Sequence, residues 1–188
     1  ARLEYAVPDC ALSQMADGLA HAQDAATLRE RGRNWHKVWD PQVRDAETGF
    51  TGFPRPRTED GQWYTPADGH YSPRSHHGFH EGTAWQYQWL AQQDVPGLVE
   101  AMDGREQAGR RLDAFFAMDA LQADPLTAAR KEWVVGPYSY YNQFRYNPNN
   151  EPDLHAPWLY TLIGQPWKTA NVLRAAQQLF TNAPNGVT

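Results

Sequence analysis

Apolar residues recur at helical spacing through the first forty residues of the chain. After Asp9 they lie three and four residues apart, at Leu12, Met15 and Leu19. After Asp24, a candidate N-cap, a second set shares one helical face: Leu28, Trp35, Val38 and Trp39. This spacing predicts two successive helices, each with one apolar face.

The periodic pattern breaks between Asp40 and Phe79, where Pro, Gly, Asp, Thr and Arg are common. Proline removes a backbone donor that a regular ladder needs, and this segment contains Pro54, Pro56, Pro66 and Pro73. The pattern predicts a long irregular surface loop without strands. Loops of this length inside a compact domain are uncommon and usually functional, so we expect Trp63 to contact a substrate.

Helical spacing returns after residue 83. Segments 83–92, 95–102 and 105–121 are predicted helices, with Asp94 capping the second and Asp103-Gly104 ending it. A second irregular stretch, 122–150, precedes a segment from 153 to 163 and a last helix that begins at Pro166. The inner face of that helix is predicted to contain Thr169, Leu173, Ala176 and Phe180. The fold class is therefore predicted to be all-α, with helix pairs and long functional loops.

Length and charge narrow the class of protein. The chain of 188 residues is long enough for one domain with a real core. Its net charge is −5, and its 17 basic residues are scattered, which disfavours nucleic acid and anionic membranes as partners. No apolar run approaches the roughly 20 residues that a membrane-spanning helix needs. Cys10 is the only cysteine, so no internal disulfide forms.

A carboxylate opens an aromatic segment in the run Glu81-Gly82-Thr83-Ala84-Trp85-Gln86-Tyr87. Aromatic rings either fill a core or line a cleft that stacks on sugar faces. Among such rings the charged form of a carboxyl group is disfavoured, so the group can stay protonated and donate to a glycosidic oxygen. The alternative is that Glu81 caps a helix whose aromatic residues belong to the core. Composition alone does not decide between these interpretations.

Amide and carboxylate oxygens crowd the segment 147–155, which reads Asn-Pro-Asn-Asn-Glu-Pro-Asp-Leu-His. Calcium prefers six to eight oxygen ligands of this kind. Asn, Pro and Asp are also the commonest turn residues, so a simple turn with an N-cap explains the same pattern. Both interpretations stay open at this level.

Three histidines lie close together in the run His76-His77-Gly78-Phe79-His80. They lack the i, i+4 spacing of helical zinc motifs and have no nearby cysteine, which favours solvated loop histidines. The sequence also lacks a Gly-rich phosphate loop, a Gly-x-Ser-x-Gly elbow and a plausible Cys–His pair. These absences disfavour phosphoryl and acyl transfer.

Five motifs in register across nearly the whole chain resemble glycoside hydrolase family 92, the calcium-dependent exo-α-mannosidases. They are Leu3-Glu4-Tyr5-Ala6, the run 81–87, Asp94-Val95-Pro96-Gly97-Leu98, Asn150-Glu151-Pro152-Asp153 and Gly164-Gln165-Pro166-Trp167-Lys168. The resemblance implies a β-sandwich domain followed by an (α/α)6 barrel. By this resemblance, residues 1–188 are expected to correspond to the central part of that barrel only, without the β-sandwich and without the C-terminal part of the barrel.

The resemblance also implies roles for individual residues. Glu81 matches the general acid, and Asn150 and Glu151 match the motif that builds the calcium site. The expected substrate contacts are Trp85, Gln86, Asn149 and Trp63. Asn149 stands where relatives often have Gly, near the leaving-group sugar, which bears on linkage specificity.

The family inverts the anomeric centre, so a second carboxylate must activate water, roughly 6.5–9.5 Å from the acid. The resemblance assigns this base to a Gly-Asn-Asp-Asp motif that would follow the loop 183–188, and the motif does not occur in this sequence. We therefore expect a fragment that is inactive by itself. The implied function of the intact protein is removal of terminal α-linked mannose, with α-1,2 linkages favoured, from mannans or N-glycans. A secreted or periplasmic location is also implied.

Two other functions are compatible with the sequence. Another (α/α)6 glycosidase, of the trehalase or debranching type, would keep paired carboxylates without calcium. A carbohydrate-binding module without catalysis would instead stack sugars on Trp63, Trp85, Trp89 and Trp133.

Overall fold

A computed structural model describes residues 2–133 and 144–180 of the chain. Nine α-helices occur in the described residues: α1 Arg2–Gly18, α2 Ala22–Gly32, α3 Ala84–Tyr87, α4 Val95–Ala101, α5 Arg105–Phe116, α6 Met118–Ala123, α7 Pro125–Ala128, α8 Ala156–Leu162 and α9 Pro166–Gln177. Two strands, β1 Trp39–Arg44 and β2 Thr51–Pro54, form a hairpin. The prediction of a mainly helical fold is confirmed. The loop 183–188 lies outside the described residues.

The first two predicted helices form and pack against each other. A single 3-10 segment, Arg33–Val38, continues from α2 and carries Trp35 into the core. Helix α2 starts at Ala22, so His21 occupies the N-cap position and the prediction of Asp24 as the N-cap was wrong. The predicted apolar face of α1 is exposed, because Leu3 and Ala6 make its buried contacts while Leu12, Met15 and Leu19 face outward.

The prediction of an irregular loop without strands was wrong at its beginning. Strands β1 and β2 pair antiparallel, with Trp39 opposite Pro54 and Arg44 opposite Thr51. The register is irregular between Asp40 and Arg44, and this is where the hairpin accommodates Pro41. Because of this local irregularity, the strand lacks the strict alternation of buried and exposed residues that would predict it from the sequence.

Buried Asp45 closes the hairpin. Its Oδ1 atom accepts the backbone N–H groups of Glu47 and Thr48, and its own N–H donates to the carbonyl of Phe50. The carboxylate satisfies backbone donors that would otherwise be unpaired in a tight connection. The turn is therefore built by a side chain in place of a regular ladder.

Aromatic side chains fill the core. Trp35, Trp85, Trp89 and Trp133 are at most 1% exposed. Phe116 lies at the centre of one cluster and contacts the rings of Phe115, Trp133, Tyr146 and Tyr160. Such tilted and edge-on ring pairs add roughly 0.5–1.5 kcal/mol each beyond area burial. The high aromatic content of the sequence is used mainly for packing.

The helices of the second half depart from their predicted bounds. Helix α5 ends at Phe116 because Ala117 takes a left-handed conformation with φ of 52°. Residues 122–133, predicted to be irregular, are mostly helical in α6, α7 and a π turn at Ala129–Trp133. Residues 134–143 of the same predicted stretch lie outside the described part of the chain.

Helix α9 begins at Pro166, as predicted. Its inner face was only partly predicted: Thr169 and Ala176 are buried, but Phe180 is exposed, and Val172 and Ala175 fill the remaining positions. Among the described helices none is both long and apolar enough to cross a bilayer.

Candidate active site

Three sequence-distant motifs line one cavity of about 400 Å³. Helix α1 contributes Glu4, the segment before α3 contributes Glu81, and a turn contributes Asn150 and Glu151. Further lining comes from Val7, Pro8, His80, Tyr87, Leu90, Gln92 and Pro152. The structure thus brings the predicted acid and the predicted metal ligands to the same place.

Glu81 stands at the entrance of helix α3 in a left-handed backbone conformation, with φ of 53°. For a residue with a Cβ atom this conformation costs roughly 1–2 kcal/mol. The side chain is 41% exposed, and its Oε1 atom lies 3.7 Å from Nε2 of His80. Two residues later a capping box forms, in which Thr83 and Gln86 satisfy each other's backbone N–H groups. Glu81 is therefore not the cap of this helix, and its carboxylate is available to the cavity.

Asn150 connects the metal motif to the predicted acid. Its side-chain Nδ2 donates to the backbone carbonyl of Glu81, 2.5 Å away, across 69 residues of sequence. Asn150 is buried, whereas Glu151 is exposed at the start of the 3-10 turn Glu151–Asp153. The side-chain nitrogen of Asn150 thus holds the backbone at Glu81. The side-chain oxygen of the same amide lies next to the turn that begins at Glu151.

The last residue of this turn, Asp153, has a fully buried carboxyl group. The Oδ2 atom of Asp153 accepts the N–H of Asn147 at 2.8 Å, and its Oδ1 atom has no hydrogen-bond partner within the described residues. Burial raises the pKa of Asp153 well above its ordinary value, and the hydrogen bond from Asn147 opposes this only in part. The protein contacts of this buried carboxyl group thus leave one of its two oxygens unpaired.

The donor set at this turn suits a hard cation. Within the described residues no three His, Cys, Asp or Glu side chains gather closely enough to hold a metal by themselves. Calcium also accepts amide, carbonyl and water oxygens, so a turn rich in Asn and backbone oxygens can supply the remainder. By this test the chemistry of Asn150 and Glu151 fits calcium and does not fit zinc.

Tyr87 closes the other side of Glu81. Its hydroxyl donates to the backbone carbonyl of His80 at 2.6 Å and lies 3.3 Å from Oε1 of Glu4. Burial and the negative charge of Glu4 raise the pKa of Tyr87 to about 12, so the hydroxyl keeps its proton at neutral pH. The sequence motifs contained Glu4 and Tyr87, but spacing alone gave them no role.

Two of the four predicted substrate contacts have no exposed surface. Trp85 is fully buried, and its indole N–H donates to Oδ2 of Asp45 at 2.8 Å. Gln86 is also fully buried, and its side chain serves the capping box and the carbonyl of Arg145. Packing and internal hydrogen bonds occupy both side chains, and their predicted substrate contact stays a prediction.

The other two predicted contacts are not part of the buried core. Asn149 is exposed next to Asn150, and its N–H donates to the side-chain oxygen of Asn147. Trp63 is half-buried in the loop, with the guanidinium of Arg57 stacked 3.5 Å from its ring centre. Neither side chain lines the 400 Å³ cavity. Their predicted substrate contact stays a prediction.

The placement of the tryptophans bears on the carbohydrate-binding alternative. Trp85, Trp89 and Trp133 are packed inside the core, with at most 1% exposure, and present no face to a sugar. Three of the four stacking residues proposed for that function are therefore structural.

In the histidine run, His77 and His80 are exposed.

A second cavity of about 590 Å³ adjoins the first. The two share Glu4, His80 and Tyr87, which form the wall between them. The second cavity extends along the hairpin end and the loop that follows it, from Pro54 to Glu59. The candidate site is thus one part of a longer depression on the surface of the chain.

The family model for the glycosyl hydrolase family 92 catalytic domain matches residues 1–188. A search of the curated proteins finds no match.

Solved structures of the same family are similar to the chain. The family 92 glycosyl hydrolase ccman5 shares 30% identity over 95% of this chain, with a TM-score of 0.66. A family GH92 alpha-mannosidase from Bacteroides thetaiotaomicron shares 27% identity over 98% of this chain, with a TM-score of 0.68. An inverting family GH92 mannosidase from the same organism shares 25% identity over 99%, also with a TM-score of 0.68.

The chain spans only 20 to 24% of the length of these structures. The match of the family model nevertheless covers the chain from end to end. The carboxylate, the amide and the turn that line the cavity thus lie within a recognised catalytic domain, and the chain belongs to glycosyl hydrolase family 92.

Proposed function

We propose that the protein containing this chain is an inverting exo-α-mannosidase in which Glu81 is the general acid. The observation that carries the proposal is the convergence of Glu81 with Asn150 and Glu151 in one cavity. A structure of a family GH92 alpha-mannosidase in complex with mannoimidazole, 25% identical over 98% of this chain, supports a mannose-like substrate. Mannans and N-glycans are the proposed sources of that mannose, with α-1,2 linkages favoured.

The proposed acid step uses the exposed part of the Glu81 side chain. The protonated carboxyl donates its proton to the glycosidic oxygen as the bond to the anomeric carbon breaks, and Glu81 is left as a carboxylate. Water attacks the opposite face of the sugar, and a second carboxylate takes a proton from it. The proposed base is an aspartate in a Gly-Asn-Asp-Asp motif, which does not occur among the 188 residues. We accordingly propose that this chain by itself does not turn over mannosides.

Asn150 and Glu151 are the proposed calcium ligands. Calcium bound there would polarise the 2- and 3-hydroxyls of mannose and favour a distorted ring. The support for this is the oxygen-rich turn and its position beside Glu81 in the lining of the same cavity. A secreted or periplasmic location, where calcium is abundant, completes the proposal.

The acid role is tested by Glu81→Gln in the full-length polypeptide that carries this segment. General acid catalysis contributes about 10²–10⁴-fold, and it matters most when the leaving group is poor. The kcat on an alkyl or disaccharide mannoside should therefore fall by roughly a hundredfold or more, while a dinitrophenyl mannoside loses much less. Glu100→Gln, at an exposed position of α4, is the control. Equal losses on both substrates would contradict the acid role.

The calcium proposal is tested by Glu151→Ala after chelator treatment. Losing a carboxylate ligand should weaken calcium binding, measured by isothermal titration calorimetry, by at least about tenfold. Glu100→Ala should leave the affinity unchanged. Unchanged calcium affinity in Glu151→Ala would remove this residue from the site. Activity that survives chelation would instead favour an (α/α)6 glycosidase of the calcium-independent kind.

A further inference from the structure

The backbone conformation of Glu81 differs in its setting from other left-handed residues. Among the described residues, three more non-glycine residues have positive φ: Ala20, Asp103 and Ala117. Each follows the end of a helix by one or two residues, where a left-handed residue is a common way to stop. Glu81 instead precedes a helix, so helix termination does not explain it. A conformation of this kind persists only when its surroundings hold it, and such residues cluster at functional sites.

Side chains from two different elements hold the peptide groups on both sides of Glu81. The hydroxyl of Tyr87 binds the carbonyl of His80, and the amide of Asn150 binds the carbonyl of Glu81 itself. Each peptide group is planar and rigid, so fixing its carbonyl fixes its plane. Two fixed planes that meet at one Cα atom set φ and ψ there. They therefore also set the direction of the Glu81 Cβ atom, from which the carboxyl group extends.

Tyr87 is itself held in place. Its ring packs against Phe79, with ring centres 5.0 Å apart. It also lies against Gly82, where an added Cβ atom would come within 3.1 Å of the ring. The tyrosine is thus packed on the backbone of the residue that directly follows Glu81. Its hydroxyl has a protein acceptor at 2.6 Å, so it is not a free donor to the cavity.

We propose that Tyr87 is a positioning residue for the acid: together with Asn150 it clamps the left-handed backbone of Glu81 and aims the carboxyl group into the cavity. This inference rests on the proposed acid role of Glu81. Tyr87 acts through the His80 carbonyl and takes no part in proton transfer.

The test is Tyr87→Phe, which keeps the ring and removes only the hydroxyl. The kcat on a poor leaving group is expected to fall about tenfold, because misplacing a catalytic group is costly. The kcat on a dinitrophenyl mannoside, which needs little acid assistance, should fall less than about threefold. The KM should hardly change for either substrate. A proportional loss on both substrates would show a merely structural role and overturn the proposal.

Tyr71→Phe is the matched control. Its hydroxyl also donates to a backbone carbonyl, that of Pro54 at 2.9 Å, but it is not bonded to the peptides flanking Glu81. Both variants lose one tyrosine-to-carbonyl hydrogen bond, so their unfolding transitions should shift similarly. Only Tyr87→Phe should change the ratio of the two kcat values.

A crystal structure of Tyr87→Phe separates failure of this inference from failure of the acid role. If Glu81→Gln lowers kcat by the same factor on both substrates, the acid role fails. The crystal structure of Tyr87→Phe still shows whether Tyr87 holds the backbone of Glu81. Glu81 leaving the left-handed region, or its carboxyl group turning out of the cavity, would support the clamp. A backbone and carboxyl position unchanged from the wild type would overturn it.

Discussion

Asp45 is the buried residue on which several parts of the chain converge. Its carboxylate closes the hairpin and accepts the indole N–H of Trp85 and a bidentate contact from Arg74. Burial alone raises the Asp45 pKa, but hydrogen bonds from Arg74, Thr48 and Trp85, with the charge of Arg74, outweigh it. They hold the pKa well below the ordinary value of 3.8. The ionised carboxylate therefore stabilises the fold at neutral pH.

Asp45→Asn is expected to lower the free energy of unfolding at pH 7 by about 3 kcal/mol, because it breaks a buried charged network from one side. Since the folded pKa is depressed, the stabilisation is present above the unfolded value of 3.8 and is lost as pH falls towards the folded pKa. Urea titrations between about pH 6 and pH 3 should show that the free energy of unfolding falls more steeply with falling pH in the wild type than in the variant.

Glu47→Gln is the control for this prediction. The Glu47 carboxylate pairs with Nη1 of the same Arg74, but the side chain of Glu47 is 72% exposed. An exposed ion pair contributes at most about 1 kcal/mol, so the variant should stay close to wild type. An Asp45→Asn protein as stable as Glu47→Gln at pH 7 would show that the buried network does not stabilise the fold.

Helix α4 shows how one side chain joins two elements. Asp94 is its N-cap, and the carboxylate accepts the N–H of Gly97 at 3.1 Å. The same carboxylate accepts the indole N–H of Trp35 at 3.1 Å, from the segment that follows α2. The sequence predicted the cap, because Asp before a helical segment is a local signal. The second contact spans 59 residues and has no local signal.

Asp94→Ala is expected to cost about 3 kcal/mol of unfolding free energy: about 1 kcal/mol for the cap, and the remainder for the buried indole N–H left without its acceptor. Chemical denaturation at neutral pH measures this directly. Asp124→Ala, which removes the exposed N-cap of α7, isolates the cap alone and should cost clearly less. Equal losses in the two variants would show that the contact with Trp35 contributes nothing.

The same contrast separates the predicted elements from those that were missed. The presence of helices α1, α2, α4, α5 and α9 was predicted because helical spacing and chain breaks are local signals. The buried face of α1, the cap of α2 and the end of α5 were not predicted correctly. The hairpin was missed because Asp45, Pro41 and an irregular register replace strict alternation. Its attachment to the core is also non-local: Arg111 of α5 donates to the Gly52 carbonyl at 2.7 Å.

At the scale of the whole molecule, the described residues include two exposed apolar faces. One lies on α1 and on Leu19, which directly follows it, and the other extends from Leu154 to the end of α8 at four-residue spacing. Their members are 49 to 62% exposed: Leu12, Met15 and Leu19 on the first, and Leu154, Trp158 and Leu162 on the second. Contiguous exposed apolar surface favours association.

We expect the 188-residue chain to self-associate in a concentration-dependent manner, measured by analytical ultracentrifugation. Met15→Lys and Trp158→Lys should each shift the distribution towards monomer, because a charge at the contact opposes burial. Gln14→Lys places the same charge at an exposed polar position beside Met15 and should have little effect. A wild-type chain that stays monomeric at high concentration would contradict the prediction.

The sequence by itself determined the mainly helical class, the cap of α4, the start of α9, and the motifs that place the chain in its family. These features depend on spacing and residue type within a few turns of chain. The roles of individual residues within the motifs required the tertiary structure. Trp85 and Gln86 belong to the core and its hydrogen bonds, while Glu4 and Tyr87 line the cavity.

The conformation of Glu81 was likewise decided by contacts that local sequence does not encode. Asn150 reaches its carbonyl across 69 residues, and Tyr87 reaches the preceding carbonyl from the next helix. The carboxylate was recognisable from the sequence because its neighbours in the chain form a motif. The direction in which it extends depends on two peptide planes that only the folded chain brings within reach of their partners.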